Sequence, residues 1–321
     1  MIKQQILRPN NFNEFIGQEN LIFTLKTMIK GSLFRNEVLD HIIFYGPPGT
    51  GKTTLATIIG NELKTKIHYL QGSLLEKKAD ILSVFSSLNE KDIIFIDEIH
   101  SINKNVEELI YSAMEDYKID IIIGPEGNTK VMRMNLKPFT LIGATTKINL
   151  LSQPLKDRFG LKAKINLYEN KDIEKILGIA QDKFLIKAEN SAISLIARYS
   201  KQTPRVALHL IKRVNDFAIA KNQDILDNKI VYETFKRLEI YDLGLNKDHI
   251  EYLETLKNIF DCNYASIDSI AALLNFQKEN LIYEIEPLLI NHKLIRKSPR
   301  GRIITTKGID YLLNNTFINK F

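Results

Sequence analysis

HIIFYGPPGTGKTTLATIIGNEL, His41–Leu63, is the stretch on which the fold turns. Its first five residues are a nearly unbroken apolar run, as suits a strand buried on both faces of a parallel sheet. Its last part reads as a helix. Between them GPPGTGKT, Gly46–Thr53, fits G-x-x-x-x-G-K-[ST] in the strand-to-helix setting that the pattern requires. The glycines let the backbone curl so that its N–H groups point at phosphate oxygens, and the helix N-terminus adds its dipole. Lys52 supplies a positive charge to the β- and γ-phosphates of ATP, and Thr53 offers a hydroxyl to Mg²⁺. The bland alternative is a glycine-rich turn without a ligand, and the flanking elements argue against it.

Outward from this loop, short apolar runs recur at Ile67–Leu70, Ile93–Ile96 and Phe139–Ala144, separated by segments with Lys, Glu and Asn on a helical period. That alternation predicts an α/β domain with a parallel sheet. IIFIDEIH, Ile93–His100, ends a strand with adjacent acids. Asp97 suits the Mg²⁺ shell, and Glu98 suits orientation or deprotonation of the attacking water. The bland alternative is that both cap the next helix, but the phosphate loop upstream favours the metal reading. His100 reads as structural. FTLIGATT places Thr146 where a hydroxyl can sense the γ-phosphate, although strand-end threonines often serve only local backbone. Arg158, in PLKDRFG, and Arg205, at the start of a TPR helix, are the arginines that could stabilise a transferring phosphate, often across a subunit seam. On chemistry alone either is equally a solvated surface residue.

Beyond Leu167 the strand signal stops, and helices are expected over Asn170–Phe184, Ser191–Ser200, Thr203–Lys221 and Asn228–Leu238, with Thr203 as N-cap and Pro204 at the first position. A third unit starts near Asp242, with helices over Asn246–Phe260, from Ser266, and through Leu281–Asn291. Two short apolar runs then surround RKSPRGR, giving a winged helix-turn-helix. The expected domains are a large ATPase domain (1–168), a small helical domain (169–241) and a winged-helix DNA-binding domain (242–321). Between Glu286 and Asp310 there is no acid, while Lys293, Arg296, Lys297, Arg300, Arg302 and Lys307 are all basic. Such a tip suits sequence-independent phosphate contacts, or else is a solvated turn serving solubility. Lys278 is a weaker phosphate candidate. Between the Asp97 and Thr146 strands, Ile119–Leu136 reads as a hairpin in which Met132, Met134 and Leu136 alternate with Arg133 and Asn135. Its apolar face fits either its own core or a partner.

The charge of +6, from 44 Lys+Arg against 38 Asp+Glu, permits an anionic partner without demanding one. With 44% hydrophobic and 26% charged residues, wholesale disorder is excluded. Cys262 is alone, so no intrachain disulfide or cysteine-based zinc site can form. No apolar run approaches the ~18–20 residues that span a bilayer, and MIKQQILRPNN lacks the hydrophobic core of a secretory signal. A cytoplasmic protein is expected.

From RPNNFNEFIGQ (Arg8–Gln18) to RGRIITT (Arg300–Thr306) the chain resembles the RuvB family, Holliday-junction branch-migration ATPases of the AAA+ class. The resemblance rests on DHIIFYGPPGTGKTTLA, FIDEIH, YSAMEDY, PFTLIGATT, LKDRFG, TPRVALHLIKRV and RGR in this order. It implies a AAA+ P-loop sheet domain, a helical lid and a C-terminal winged helix. Leu7 and Arg8 would line the adenine end, with Glu115, Asp116 and Tyr117 near the nucleotide. Gly49, Gly51, Lys52, Thr53 and Thr54 would hold the phosphates, and Tyr168 would sit at the hinge. Arg158 would be the finger acting in trans and Arg205 the sensor of the helical domain. It further implies a homohexamer on double-stranded DNA and four-way junctions, with RuvA docked through hairpin 119–136 and the nuclease RuvC as a further partner. The alternative is a replication initiator or clamp-loader-like ATPase. A clamp loader's finger motif usually reads SRC where this chain has DRF.

Overall fold

The structure, a computed structural model, describes residues 8–123 and 130–314. Leu7 and the tip of the expected hairpin (124–129) lie outside the described residues, as do the side chains of Ile122 and Ile123. The chain divides into two compact units, Met1–Tyr168 and Glu169–Phe321.

The first unit runs α1 (Glu19–Arg35), β1 (Ile42–Tyr45), α2 (Lys52–Leu63), β2 (Ile67–Gln71), α3 (Lys78–Ser87), β3 (Ile93–Asp97), α4 (Lys104–Asp116), β4 (Lys118–Ile123), β5 (Lys130–Asn135), β6 (Thr140–Thr145), α5 (Gln153–Asp157) and β7 (Leu161–Lys164). Five strands form a parallel sheet in the order β2-β3-β6-β1-β7. Alternate residues of the inner strands feed two cores, as the two-residue strand period requires. Ile42, Phe44, Ile93, Phe95, Ile142 and Ala144 pack with Leu25 and Ile29 of α1 and Leu55, Ile58 and Ile59 of α2. Ile43, Ile94, Ile96 and Leu141 pack on the other face with Ile81, Phe85, Val106 and Ile110 of α3 and α4. Each of these Ile, Leu, Val and Phe side chains contributes ~1.5–3 kcal/mol by leaving water.

The sheet departs from the expectation at both edges. β2 is only half-buried, because it borders β3 alone. β7 carries no legible strand signal: LKAK alternates lysines with apolar residues, and only Ala163 is buried. It forms because β1 offers a free edge, pairing Ile42 with Leu161 through Tyr45 with Lys164. β4 and β5 form the expected antiparallel hairpin, from Lys118↔Asn135 to Ile123↔Lys130. Ile119 and Leu136, near its base, join the core, whereas Val131 and Met132 are 69% and 51% exposed.

The second unit begins with α6 (Asn170–Phe184), β8 (Lys187–Ala188), α7 (Asn190–Arg198), α8 (Pro204–Ala220), β9 (Ile225–Leu226) and α9 (Asn228–Arg237). The expected helices are present, together with a short parallel pairing of β8 and β9 that the sequence does not signal. Thr203 stands at the N-cap of α8, but its hydroxyl donates to Ser200 O (3.3 Å) instead of capping. α10 (Lys247–Glu254) follows and continues as a π-helical turn over Thr255–Ile259. Next come α11 (Ile267–Leu274), capped as expected by Ser266, and α12 (Lys278–Asn280), which runs through a second π turn into α13 (Glu286–Asn291). β10 (Ile295–Ser298) and β11 (Gly301–Ile304) form the wing, before α14 (Thr306–Asn314). Gly244, at φ 76°, lets the chain pass Tyr199, whose carbonyl would lie 2.5 Å from a Cβ there.

Candidate nucleotide site and basic wing

The phosphate loop leaves β1 at Gly46, whose φ is 143° and where a Cβ would lie 2.3 Å from Ile165 O. No other residue fits that position without moving β1 from the neighbouring chain. Lys52, at the start of α2, is buried and arches back over the loop, donating to Gly46 O (2.9 Å) and Pro47 O (2.8 Å). A cation thus sits above a curl of backbone at a helix N-terminus, an anion-binding arrangement. Tyr168, buried at the end of the unit, donates its hydroxyl to Thr50 O (3.1 Å) and braces the loop. Thr54 is half-buried in the first turn of α2.

β3 delivers the acids. Thr53 Oγ1 lies 3.4 Å from Asp97 Oδ2, and Asp97 Oδ1 accepts the Glu98 N–H (3.0 Å). Glu98 is in the left-handed region (φ 46°, ψ 49°), an uncommon conformation for a non-glycine residue and one that concentrates at functional sites. Neither acid caps the following turn through its side chain. Glu98 Oε2 accepts both the N–H and the Oγ1–H of Thr146, each at 3.2 Å. Lys52, Thr53, Asp97, Glu98 and Thr146 are therefore brought together from the carboxyl ends of β1, β3 and β6. Open α/β sheets hold their ligands in crevices at such strand ends.

Arg158, directly after α5, belongs to a second cluster. Its guanidinium pairs with Glu115, donates to Pro154 O (3.0 Å) and lies 4.9 Å over the Tyr111 ring. Its Nε is buried without a partner among the described residues. Glu115 and Asp116 are exposed at the end of α4, while Tyr117 turns inward, its ring 5.7 Å from that of Phe139. Burial raises the Tyr117 hydroxyl pKa, with Asp40 adding to it. Arg8 is exposed, and Arg205 is exposed on the first turn of α8 in the other unit.

On the wing, Arg296, Lys297 and Arg300 are exposed as expected. Arg302 corrects the expectation. It is 9% exposed, and its Nε donates to Glu286 Oε1 (2.7 Å) and its Nη2 to Oε2 (3.4 Å). Glu286 is itself 1% exposed and also accepts the Tyr252 hydroxyl (2.9 Å), with Lys297 Nζ 3.9 Å away. The physical reason is position: Arg302 lies within β11, where its guanidinium reaches Glu286, whereas Arg300 lies in the turn before the strand. Burial, together with the Glu286 carboxylate, raises the Tyr252 hydroxyl well above the ordinary range. Lys278 pairs with Asp268. Nothing in the sequence marks Glu286, because an acid before Pro287 looks like any solvated helix residue. His100, expected to be structural, lies beside Glu98.

A parallel sheet with a phosphate loop, an acid pair ending the next strand but one and a hydroxyl ending the strand between them defines a P-loop ATPase of the AAA+ class, and the chain binds nucleotide. Residues 7–165 match the model of the Holliday junction DNA helicase RuvB P-loop domain, 168–241 that of the RuvB AAA lid domain, and 242–313 that of the RuvB C-terminal winged helix domain. The chain belongs to the RuvB family. It is 54% identical over 314 residues to the Holliday junction branch migration complex subunit RuvB of Mycoplasmopsis synoviae, covering 98% of this chain and 99% of that one. The subunit of the same name from Mycoplasmopsis pulmonis is 54% identical over 312 residues, with coverage of 97% and 99%. The structure of the Thermotoga maritima RuvB Holliday junction branch migration motor superposes with a TM-score of 0.84 at 39% identity, covering 96% of this chain and 98% of that one. This membership decides against the initiator and clamp-loader alternative. Among the described residues, no helix is long and apolar enough to cross a membrane.

Proposed function

We propose that this chain is an ATP-driven motor that promotes branch migration of Holliday junctions, working as a homohexameric ring with RuvA in the cytoplasm. The observation that carries the reading is the convergence of the Thr53 hydroxyl, the Asp97 carboxylate and Glu98 beside the Lys52 loop. Gly49, Gly51, Lys52, Thr53 and Thr54 would bind the phosphates, and Leu7 and Arg8 the adenine end. Glu115, Asp116 and Tyr117 would lie near a nucleotide, and Tyr168 would mark the hinge. Thr53 and Asp97 offer only oxygen donors, which suits a hard cation such as Mg²⁺. When bound, Mg²⁺ would neutralise charge on the β- and γ-phosphates. Glu98 would take a proton from the attacking water, and Thr146 would sense the γ-phosphate. Arg158 would stabilise the transition state on the adjacent protomer, and Arg205 would report nucleotide state to the lid.

The domain limits we propose are 1–168, 169–241 and 242–321. The wing would contact DNA phosphates through Arg296, Lys297 and Arg300, with Lys278 beside them and Arg302 setting the wing's position. Hairpin 119–136 would dock RuvA, and RuvC would join the assembly on the junction. The test is branch migration of a synthetic four-way junction with ATP and Mg²⁺, with and without RuvA. Wild-type protein should migrate the junction. Glu98→Gln should bind ATP and leave it nearly uncleaved, and normal turnover by that variant would refute the role of Glu98.

A further inference from the structure

Glu98 is held by more than the strand it ends. The Nδ1 of His100 lies 3.1 Å from Glu98 Oε2 and 2.9 Å from Thr145 Oγ1. Thr145 is fully buried, and its hydroxyl accepts the Lys147 N–H at 2.9 Å, so the group that meets the ring is itself fixed. Gly72 tightens the same corner, since a Cβ there would lie 2.4 Å from Glu98 O.

The chemistry of the ring follows from these distances. An unprotonated ring nitrogen and a carboxylate oxygen repel at 3.1 Å, so with Glu98 ionised the ring carries a proton on Nδ1. Burial lowers the His100 pKa, opposed by Glu98 and reinforced by Lys147, which favours the neutral ring with that single proton. Thr146 has one hydroxyl proton, and it is given to Glu98. If that hydroxyl turns to a γ-phosphate, the carboxylate loses a donor, and His100 remains.

We infer that His100 is a positioning residue for ATP hydrolysis: its Nδ1–H, steadied by Thr145, orients Glu98 towards the attacking water. The inference rests on Glu98 being the base. The test measures kcat and KM for ATP on the full chain for His100→Ala, His100→Asn, Thr145→Val and Glu98→Gln. The asparagine amide N–H stands where Nδ1–H stands. The alanine variant should lose about tenfold or more in kcat, within the range of a general base's contribution, at a KM within about twofold. Asparagine should restore most of that loss. Thr145→Val keeps the side-chain shape and should lower kcat severalfold at unchanged KM, which carries the test should His100→Ala not fold.

Wild-type kcat in the alanine or valine variant overturns the inference. So does an asparagine variant as impaired as the alanine one, which would mean packing, or a loss confined to KM. Glu98→Gln separates the two levels. If it turns over normally, the base assignment itself falls. If it is inactive while His100→Ala is normal, only the role of His100 falls.

Discussion

Arg302→Ala tests whether the wing is held by a buried ion pair or reaches DNA with the same residue. The change leaves the Glu286 carboxylate, 1% exposed, with the Tyr252 hydroxyl at 2.9 Å and Lys297 Nζ at 3.9 Å. Removing one partner of a buried pair costs ~3–5 kcal/mol, because a charge stays buried and uncompensated. Lys297 is half-exposed and can close on Glu286, so the lower end, ~3 kcal/mol, applies. The wing carries its own reporters. The amides of Ala265 and position 302 bond each other's carbonyls at 2.9 and 2.8 Å, and Gly301 packs at the same place with φ 129°. Hydrogen exchange at these two amides in the full chain should quicken about a hundredfold, at ~1.4 kcal/mol per decade. Acceleration below about fivefold would mean that the Arg302–Glu286 pair does not hold the wing. The paired change Glu286→Leu with Arg302→Met, which leaves no orphaned charge, should restore protection. DNA binding by that double variant then decides the chemistry. If affinity returns with protection, Arg302 acts through the wing's position. If protection returns and affinity does not, Arg302 touches DNA itself.

Arg300→Ala, exposed at the turn, should leave exchange unchanged while weakening binding to unrelated DNA sequences alike, with a salt slope shallower by about 0.9; an unchanged slope removes it from the interface. Mixing Lys52→Ala with Arg158→Ala protein should regenerate part of the ATPase activity on the proposal that a ring site takes one residue from each copy; a mixture as inactive as its components argues that Arg158 acts within its own chain. Val131→Ser with Met132→Ser, at the exposed part of the β4–β5 hairpin, should spare basal ATPase and abolish stimulation by RuvA, and loss of basal activity would mean that the hairpin serves its own domain. His249 is buried at the start of α10, with Lys201 adding to the effect of burial, and its pKa falls from 6.5 to about 3. The unfolded chain therefore binds the extra proton between those values. The contribution is complete above pH 6.5 and is lost as pH falls towards 3, by up to ~1.4 kcal/mol per unit. Denaturant titrations of His249→Gln should show that slope flattened.

What the sequence determined by itself was whatever depends on local pattern. Gly46–Thr53 announces a phosphate loop because its spacing and its strand-to-helix setting are both written in consecutive residues. The inner strands are legible because burial on two faces demands unbroken apolar runs, and the wing because Pro299 and Gly301 sit among cations. The rest depends on which segments the packed chain brings together. β7 exists because β1 has an edge to fill, and nothing in LKAK says so. His100 looks structural until β6 brings Thr145 to it across more than forty residues of chain. Arg302 looks like Arg300 until Glu286 and Tyr252 close over it. A charge in a sequence has a sign but no surroundings, and solvation, which decides whether it binds a phosphate or holds a wing, belongs to the fold.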